Sequence, residues 1–254
     1  MGVISPVGND VNTFWSNLCN GVCGIDHIKS FPTDNLPVGI AGIIKDFKAE
    51  EYGMDKPFIR KQDLFTQYGV AAAYQAMKQS GLSSQGENKN IDPFRLGVYF
   101  GSGIGGFATQ YREISKMIED PSGQWISPLF IPTMISNIAA GHIAILNNAQ
   151  GPCLDIVTAC ATSTNAMGEA FRAIRNGYAD AIITGGCENA TIPIGIVGFA
   201  NAKALSRATD PNYASLPFNG NRAGFVMADG SAALVLEEYE HAKARGAQIL
   251  GEMV

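Results

Sequence analysis

Gly151-Pro-Cys-Leu-Asp-Ile-Val-Thr-Ala-Cys160-Ala-Thr-Ser-Thr-Asn165-Ala-Met-Gly-Glu-Ala170-Phe-Arg-Ala-Ile-Arg175 changes its period in the middle. Residues 153–158 are mostly apolar and β-branched and follow a Gly-Pro breaker, which predicts a short buried strand. Beyond Cys160, the residues Ala166, Met167, Ala170, Phe171 and Ile174 recur at helical spacing, and Gly177 stands where a C-terminal cap is expected. Cys160 therefore falls where a strand stops and a helix starts. The first N–H groups of a helix lack intrahelical partners and its dipole adds positive potential, so such a position favours thiolate over thiol. A small buried cysteine without chemistry fits the same position. The residues alone leave both readings open.

Upstream, Leu96–Phe100 reads as a buried strand that runs into Gly101-Ser-Gly103-Ile-Gly-Gly106, formally a G-x-G-x-x-G loop. A dinucleotide site needs a helix after that loop and an acidic residue about 20 positions on, at the end of the next strand. Glu119 and Asp120 fall at that distance, but inside the helical piece Ile114–Asp120. The glycines are therefore expected to let a backbone or a substrate pass close, and no cofactor is expected. Asp63 to Gly81 spaces Leu64, Phe65, Tyr68, Ala71, Ala72, Gln75, Ala76 and Met77 as a long amphipathic helix. Val11, Phe14, Trp15 and Leu18 predict another, ended by Asn20-Gly21, and residues 38–47 predict a short strand or hairpin. Cys19 and Cys23 are four apart with His27 near, but no second Cys or His pair follows, so no metal site is expected.

Met134 to Leu146 reads as one helix. Its His142 is the histidine that could reach Cys160, since both flank a common strand, although a hydrogen-bonded core residue is the plainer reading. Ala179–Gly186 predicts a second buried strand, with Glu188 just past its end. Pro193–Phe199 is apolar and punctuated by glycine, and Asn212–Gly224 is loop. Phe225–Met227 and Ala232–Leu236 suggest a hairpin, followed by a surface helix, Glu237–Arg245, that carries His241. Strands and helices alternate through most of the chain, which predicts α/β architecture.

Composition sets the outer bounds. Of 254 residues, 46% are hydrophobic and 16% charged, which suits a large core. A net charge of −5 offers no basic field, so nucleic acid is excluded as a partner. No run of 18 apolar residues occurs, and Met1 is followed by Gly-Val-Ile-Ser-Pro where a signal peptide would be basic, so no membrane association is expected. Five cysteines without regular spacing point to a reducing compartment, the cytoplasm.

Several separated motifs together resemble a known family. They are Val157-Thr-Ala-Cys160-Ala-Thr-Ser, Gly101-Ser-Gly-Ile-Gly-Gly106, Phe130-Ile-Pro132, Gly185-Gly186-x-Glu188, Gly198-Phe199, Ala204-Leu205-Ser206 and the stretch from Leu234 to Gly246. Taken in chain order, over Met1 to Val254, they resemble the β-ketoacyl-acyl-carrier-protein synthases, most of all the elongating type II enzymes of fatty acid synthesis. The resemblance implies a thiolase-like fold, layered α/β with a mixed sheet, in which two similar halves pack face to face, usually in a homodimer. It implies that Cys160 takes an acyl chain from an acyl-carrier-protein thioester, and that the enolate from malonyl-carrier protein then attacks the acyl-enzyme. Ile104 and Phe199 would line the acyl pocket, and Phe130 would reach toward the partner subunit's pocket.

The same resemblance implies two catalytic histidines and a lysine in a second half. None of His27, His142 or His241 lies in a matching motif. Residues 1–254 are thus expected to be the N-terminal, nucleophile-bearing domain, with the C-terminal half missing. The alternative is a non-catalytic ketosynthase-like partner subunit or an inactive fragment. Asn219, Ala223, Ala228 and Asp229 stand where the family usually has Asp, Asp, Gly and Glu, which removes a carboxylate beside Arg222.

Overall fold

The computed structural model describes residues 1–254. The chain opens with β1 (Gly2–Ile4), α1 (Val11–Cys19), β2 (Ile25–His27), β3 (Ile40–Gly42), α2 (Lys56–Lys61) and α3 (Leu64–Ser80). β4 (Leu96–Gly101), α4 (Phe107–Glu119), α5 (Phe130–Met134), α6 (Ile138–Leu146), β5 (Cys153–Leu154) and α7 (Thr162–Arg175) follow. β6 (Ala181–Glu188), α8 (Pro193–Asn201), β7 (Gly230–Glu237) and α9 (Tyr239–Ala244) complete it. A mixed sheet in the order β1-β7-β6-β4-β5 organises the molecule. β4 runs parallel to β5 and β6, whereas β7 is antiparallel to both β6 and β1. No helix is long and apolar enough to cross a membrane.

The two-residue period of the strands divides the core between two faces. Leu96, Val98 and Phe100 of β4 and Ile183 of β6 pack with α3 and α6, while Tyr99 and Ile182 face Ala170 and Ala173 of α7. Phe65 and Phe100 are fully buried, and each contributes about 2–3 kcal/mol by leaving water. A smaller cluster joins Ile40 and Ala41 of β3 to Ile196 and Ala200 of α8.

α3 begins on Asp63 and ends before Gly81, which takes a left-handed φ of 64°. Its sequence reads as amphipathic, yet Phe65 through Ala73 is buried all round. β1, β6, β7 and α6 all pack against it, so this helix is central and has no solvent face between Phe65 and Ala73. α1 behaves in the opposite way. Its apolar stripe forms as expected, but Trp15 and Leu18 are exposed.

Three expectations fail, each for a local reason. The strand over 153–158 shrinks to Cys153 and Leu154, both exposed, because β5 is the outermost strand and the chain leaves the ladder at Asp155. The helix from Met134 to Leu146 breaks at Ile135, where ψ is 138°. The Met134 carbonyl at that break accepts the Gly106 N–H at 2.9 Å. Phe225–Met227 does not form a hairpin with β7. Met227 instead accepts the Gly42 N–H at 2.8 Å, and the buried Asp229 carboxylate accepts the N–H groups of Ala190 and Thr191 at 3.0 Å. Those bonds turn the chain into β7 from a different direction.

Candidate active site

Cys160 lies in a single 3-10 turn, Ala159–Ala161, that leads directly into α7. The side chain is exposed. Ala159 takes a left-handed φ of 52°, a conformation costly for a residue with a Cβ and typical of turns that present a functional group. Thr162 Oγ1 accepts the Thr158 N–H at 2.9 Å, and Asn165 donates to Thr158 Oγ1 at 2.7 Å, so side chains from the helix hold the turn. No side chain caps α7, and the Cys160 N–H has no acceptor in the protein. That free donor beside the sulfur can stabilise an oxyanion on a thioester bound to it.

Two glycines let this turn sit at the C-terminal end of the sheet. A Cβ on Gly101 would lie 2.1 Å from the Ile156 carbonyl oxygen and 2.4 Å from Thr162 Cγ2. One on Gly186 would lie 2.2 Å from Ser163 Oγ. The start of α7 therefore rests on the bare backbone of β4 and β6.

The glycine loop after β4 carries Ile104, which is exposed. A Cβ on Gly103 would meet Ala159 Cα at 3.8 Å, so loop and Cys160 turn are neighbours. On its other side the loop meets α5, since a Cβ on Gly106 would lie 2.7 Å from Met134 Cα. Glu119 is the last residue of α4 and not part of a strand. Phe130 opens α5 and is half-buried. Phe199, on α8, packs edge-on against Phe225 with ring centroids 5.5 Å apart.

His142 does not serve Cys160. α6 lies on the face of the sheet opposite α7, and the imidazole packs edge-on against Phe58 at 4.9 Å, where burial lowers its pKa. His241 Nδ1 lies 2.6 Å from Glu237 Oε1. Cys19 and Cys23 are exposed, and no group of three or more His, Cys, Asp or Glu side chains gathers as a metal site. Arg222, next to Ala223, donates to the Asn219 carbonyl at 3.0 Å.

One carboxylate holds the glycine loop and a second the α5–α6 break beside it. Glu188, at the end of β6, accepts Ser102 Oγ at 2.9 Å and the Gly103 N–H at 2.7 Å. Burial pushes its pKa up against those bonds. Asp155 accepts Ser136 Oγ at 2.5 Å, and burial raises its pKa as well. Sequence reasoning assigned neither a role. The signal was present for Asp155, a charged residue inside a stretch read as apolar strand.

Residues 1–242 match the family model described as β-ketoacyl synthase, N-terminal domain. The chain is 46% identical to 3-oxoacyl-(acyl-carrier-protein) synthase 2 of Vibrio cholerae serotype O1, covering all of this chain and 60% of that one. It is 44% identical to the Staphylococcus aureus protein of the same name, covering all of this chain and 62% of that one. The chain thus spans about three fifths of the length of these curated relatives. Among solved structures, a ketosynthase in complex with its type II PKS acyl-carrier protein aligns over 98% of this chain and 59% of that one. Its TM-score is 0.84 at 29% identity. A β-ketoacyl synthase from Burkholderia phymatum aligns over 98% of this chain and 60% of that one, with TM-score 0.83 at 26% identity. The layered mixed sheet is accordingly the thiolase-like fold expected from the motifs. On the family match over residues 1–242 and these identities, the chain belongs to the β-ketoacyl synthases.

Proposed function

We propose that Cys160 is the acyl acceptor of a β-ketoacyl-acyl-carrier-protein synthase that elongates fatty acids. The observation that carries this is the exposed thiol beside an unbonded N–H at the uncapped start of α7. In this reading the Cys160 thiolate attacks the carbonyl of an acyl-carrier-protein thioester, and the carrier thiolate leaves. Malonyl-carrier protein then loses carbon dioxide. Its enolate attacks the Cys160-bound thioester, a carbon–carbon bond forms, and the cysteine is released as thiolate. Two of the chain's histidines are engaged elsewhere, His142 with Phe58 and His241 with Glu237, so decarboxylation calls on groups other than these two. Residues 1–254 act here as the nucleophile-bearing domain.

Ile104 and Phe199 line the acyl pocket in this proposal, and Phe130 serves the pocket of a second subunit. The open edge of β5, with Leu154 and Val157 exposed beside it, suits pairing with a second copy in a homodimer. Five unpaired thiols suit a reducing cytoplasm. The test is incubation with radiolabelled acyl-carrier protein followed by peptide mapping. Label is expected on Cys160 and is lost in Cys160→Ala, whose melting temperature stays near that of the parent. Label on Cys19, Cys23, Cys153 or Cys187 in folded protein would refute the assignment.

A further inference from the structure

Asp155 is a carboxylic acid five residues before the nucleophile, and the chemistry proposed above does not use it. Its Oδ2 accepts the Ser136 hydroxyl at 2.5 Å. Oδ1 is buried and has no protein partner, so the Ser136 hydroxyl is the one donor that fixes the carboxylate's orientation. Asp155 thereby ties its own segment, which leads into the Cys160 turn, to the break between α5 and α6. The glycine loop is itself held by Glu188, which takes the Ser102 hydroxyl and the Gly103 N–H. The α5–α6 break in turn packs on the loop that carries Ile104: a Cβ on Gly105 would stand 3.1 Å from Ser136 Cα, and the Gly106 N–H donates to the Met134 carbonyl at 2.9 Å. Hydroxyl-to-carboxylate bonds are shorter and about twice as strong as neutral ones, which suits a fixed joint.

We propose that Asp155 and Ser136 form a positioning pair that fixes the glycine loop, and with it Ile104, against the Cys160 turn and so sets which acyl chains the cysteine accepts. The inference rests on Cys160 being the acyl acceptor. The pair acts through the loop and leaves the sulfur untouched, so its loss alters selectivity between chains more than bare thiol reactivity.

The experiment uses the full-length protein as wild type, Ser136→Ala, Asp155→Ala, the double variant and Asp155→Asn. Cys160 acylation rates are measured with carrier-protein thioesters of one short and one long acyl chain. Iodoacetamide alkylation of Cys160 and melting temperature are measured alongside. Each alanine variant is expected to change the long-to-short rate ratio at least about threefold, and the double variant no more than the larger single change, as for coupled residues. Asp155→Asn keeps an oxygen acceptor for Ser136 and is expected to stay within about twofold of wild type. A purely structural role would lower the melting temperature and the labelled fraction equally for both chains. An unchanged ratio, additive effects, or an asparagine variant as shifted as the alanine one overturns the proposal. Should Asp155→Ala not fold, Ser136→Ala and Asp155→Asn still decide it. A wild type that alkylates at Cys160 yet takes neither acyl chain refutes the acyl-acceptor reading. The positioning pair, which rests on that reading, falls with it.

Discussion

α3 and α7 cover opposite faces of one sheet and begin in opposite ways. α3 starts on Asp63, whose carboxylate accepts the Thr109 N–H and hydroxyl at 2.9 and 2.7 Å and the Phe65 N–H at 3.4 Å. α7 starts on Ala161 with no side-chain cap, behind an alanine at φ 52°, and leaves the Cys160 N–H unbonded. A missing cap costs about 1 kcal/mol, and a left-handed alanine about as much again. The chain closes one helix end with its own carboxylate and leaves the other open where the nucleophile stands. The difference teaches that stability and reactivity are divided between two helices that share β4 and β6. Those strands receive the open helix end through glycines that bring it onto bare backbone.

The contrast breaks first if that backbone contact is spoiled. Gly101→Ala places a methyl 2.1 Å from the Ile156 carbonyl oxygen, a backbone atom that cannot rotate away. A loss of about 3 kcal/mol in urea unfolding is expected, with acylation of Cys160 falling to background. A fully acylating Gly101→Ala protein would mean that the α7 start does not depend on close approach to β4. Asp63→Ala strikes the closed end. It removes a cap and leaves the buried Thr109 groups unpaired, for an expected loss of about 2 kcal/mol. The acylation rate per folded molecule should stay the same. A variant that lost acylation while keeping its stability would show that the two helix starts are coupled.

Much of this division was legible in the sequence. Asp63, the long apolar run after it and Gly81 bound α3 correctly, because caps are local signals. The period change after Cys160 placed α7 and the turn before it. What was not legible depended on distant partners. That α3 is buried all round follows from β1, β6, β7 and α6 closing on it, and no window of its own sequence reports them. The exposed edge position of β5 and the separate course of Phe225–Met227 are likewise matters of which strand pairs with which. Within the site, Cys160 and the glycine loop could be found by pattern. The Asp155–Ser136 bond joins residues from two segments whose meeting only the fold determines.

The finest test of the contrast is the sign of two pH dependences. Glu113, on α4, is 1% exposed. Burial alone would raise its pKa from the ordinary 4.5. Bonds from Lys116 at 2.9 Å, the Ser127 N–H at 2.9 Å and Arg112 at 3.0 Å outweigh that and bring it to about 2. A depressed carboxylate contributes stability that is complete above its ordinary pKa and is lost as pH falls from about 4.5 toward 2. Glu188, beside the Cys160 turn, is raised by burial, so its contribution is complete below the ordinary range and is lost as pH rises through the raised value. Glutamine imitates the protonated form of each. Glu113→Gln should therefore be less stable than wild type by about 2 kcal/mol at pH 7, with the deficit shrinking below pH 4.5. Glu188→Gln should gain on wild type as pH rises from that point, by a smaller amount. Urea unfolding of the three proteins between pH 7 and pH 3 reads both slopes. Parallel slopes of the same sign would mean that the carboxylate under the glycine loop is held as firmly as the one on α4, and the division between the stable and the reactive side of the sheet would fail at its core.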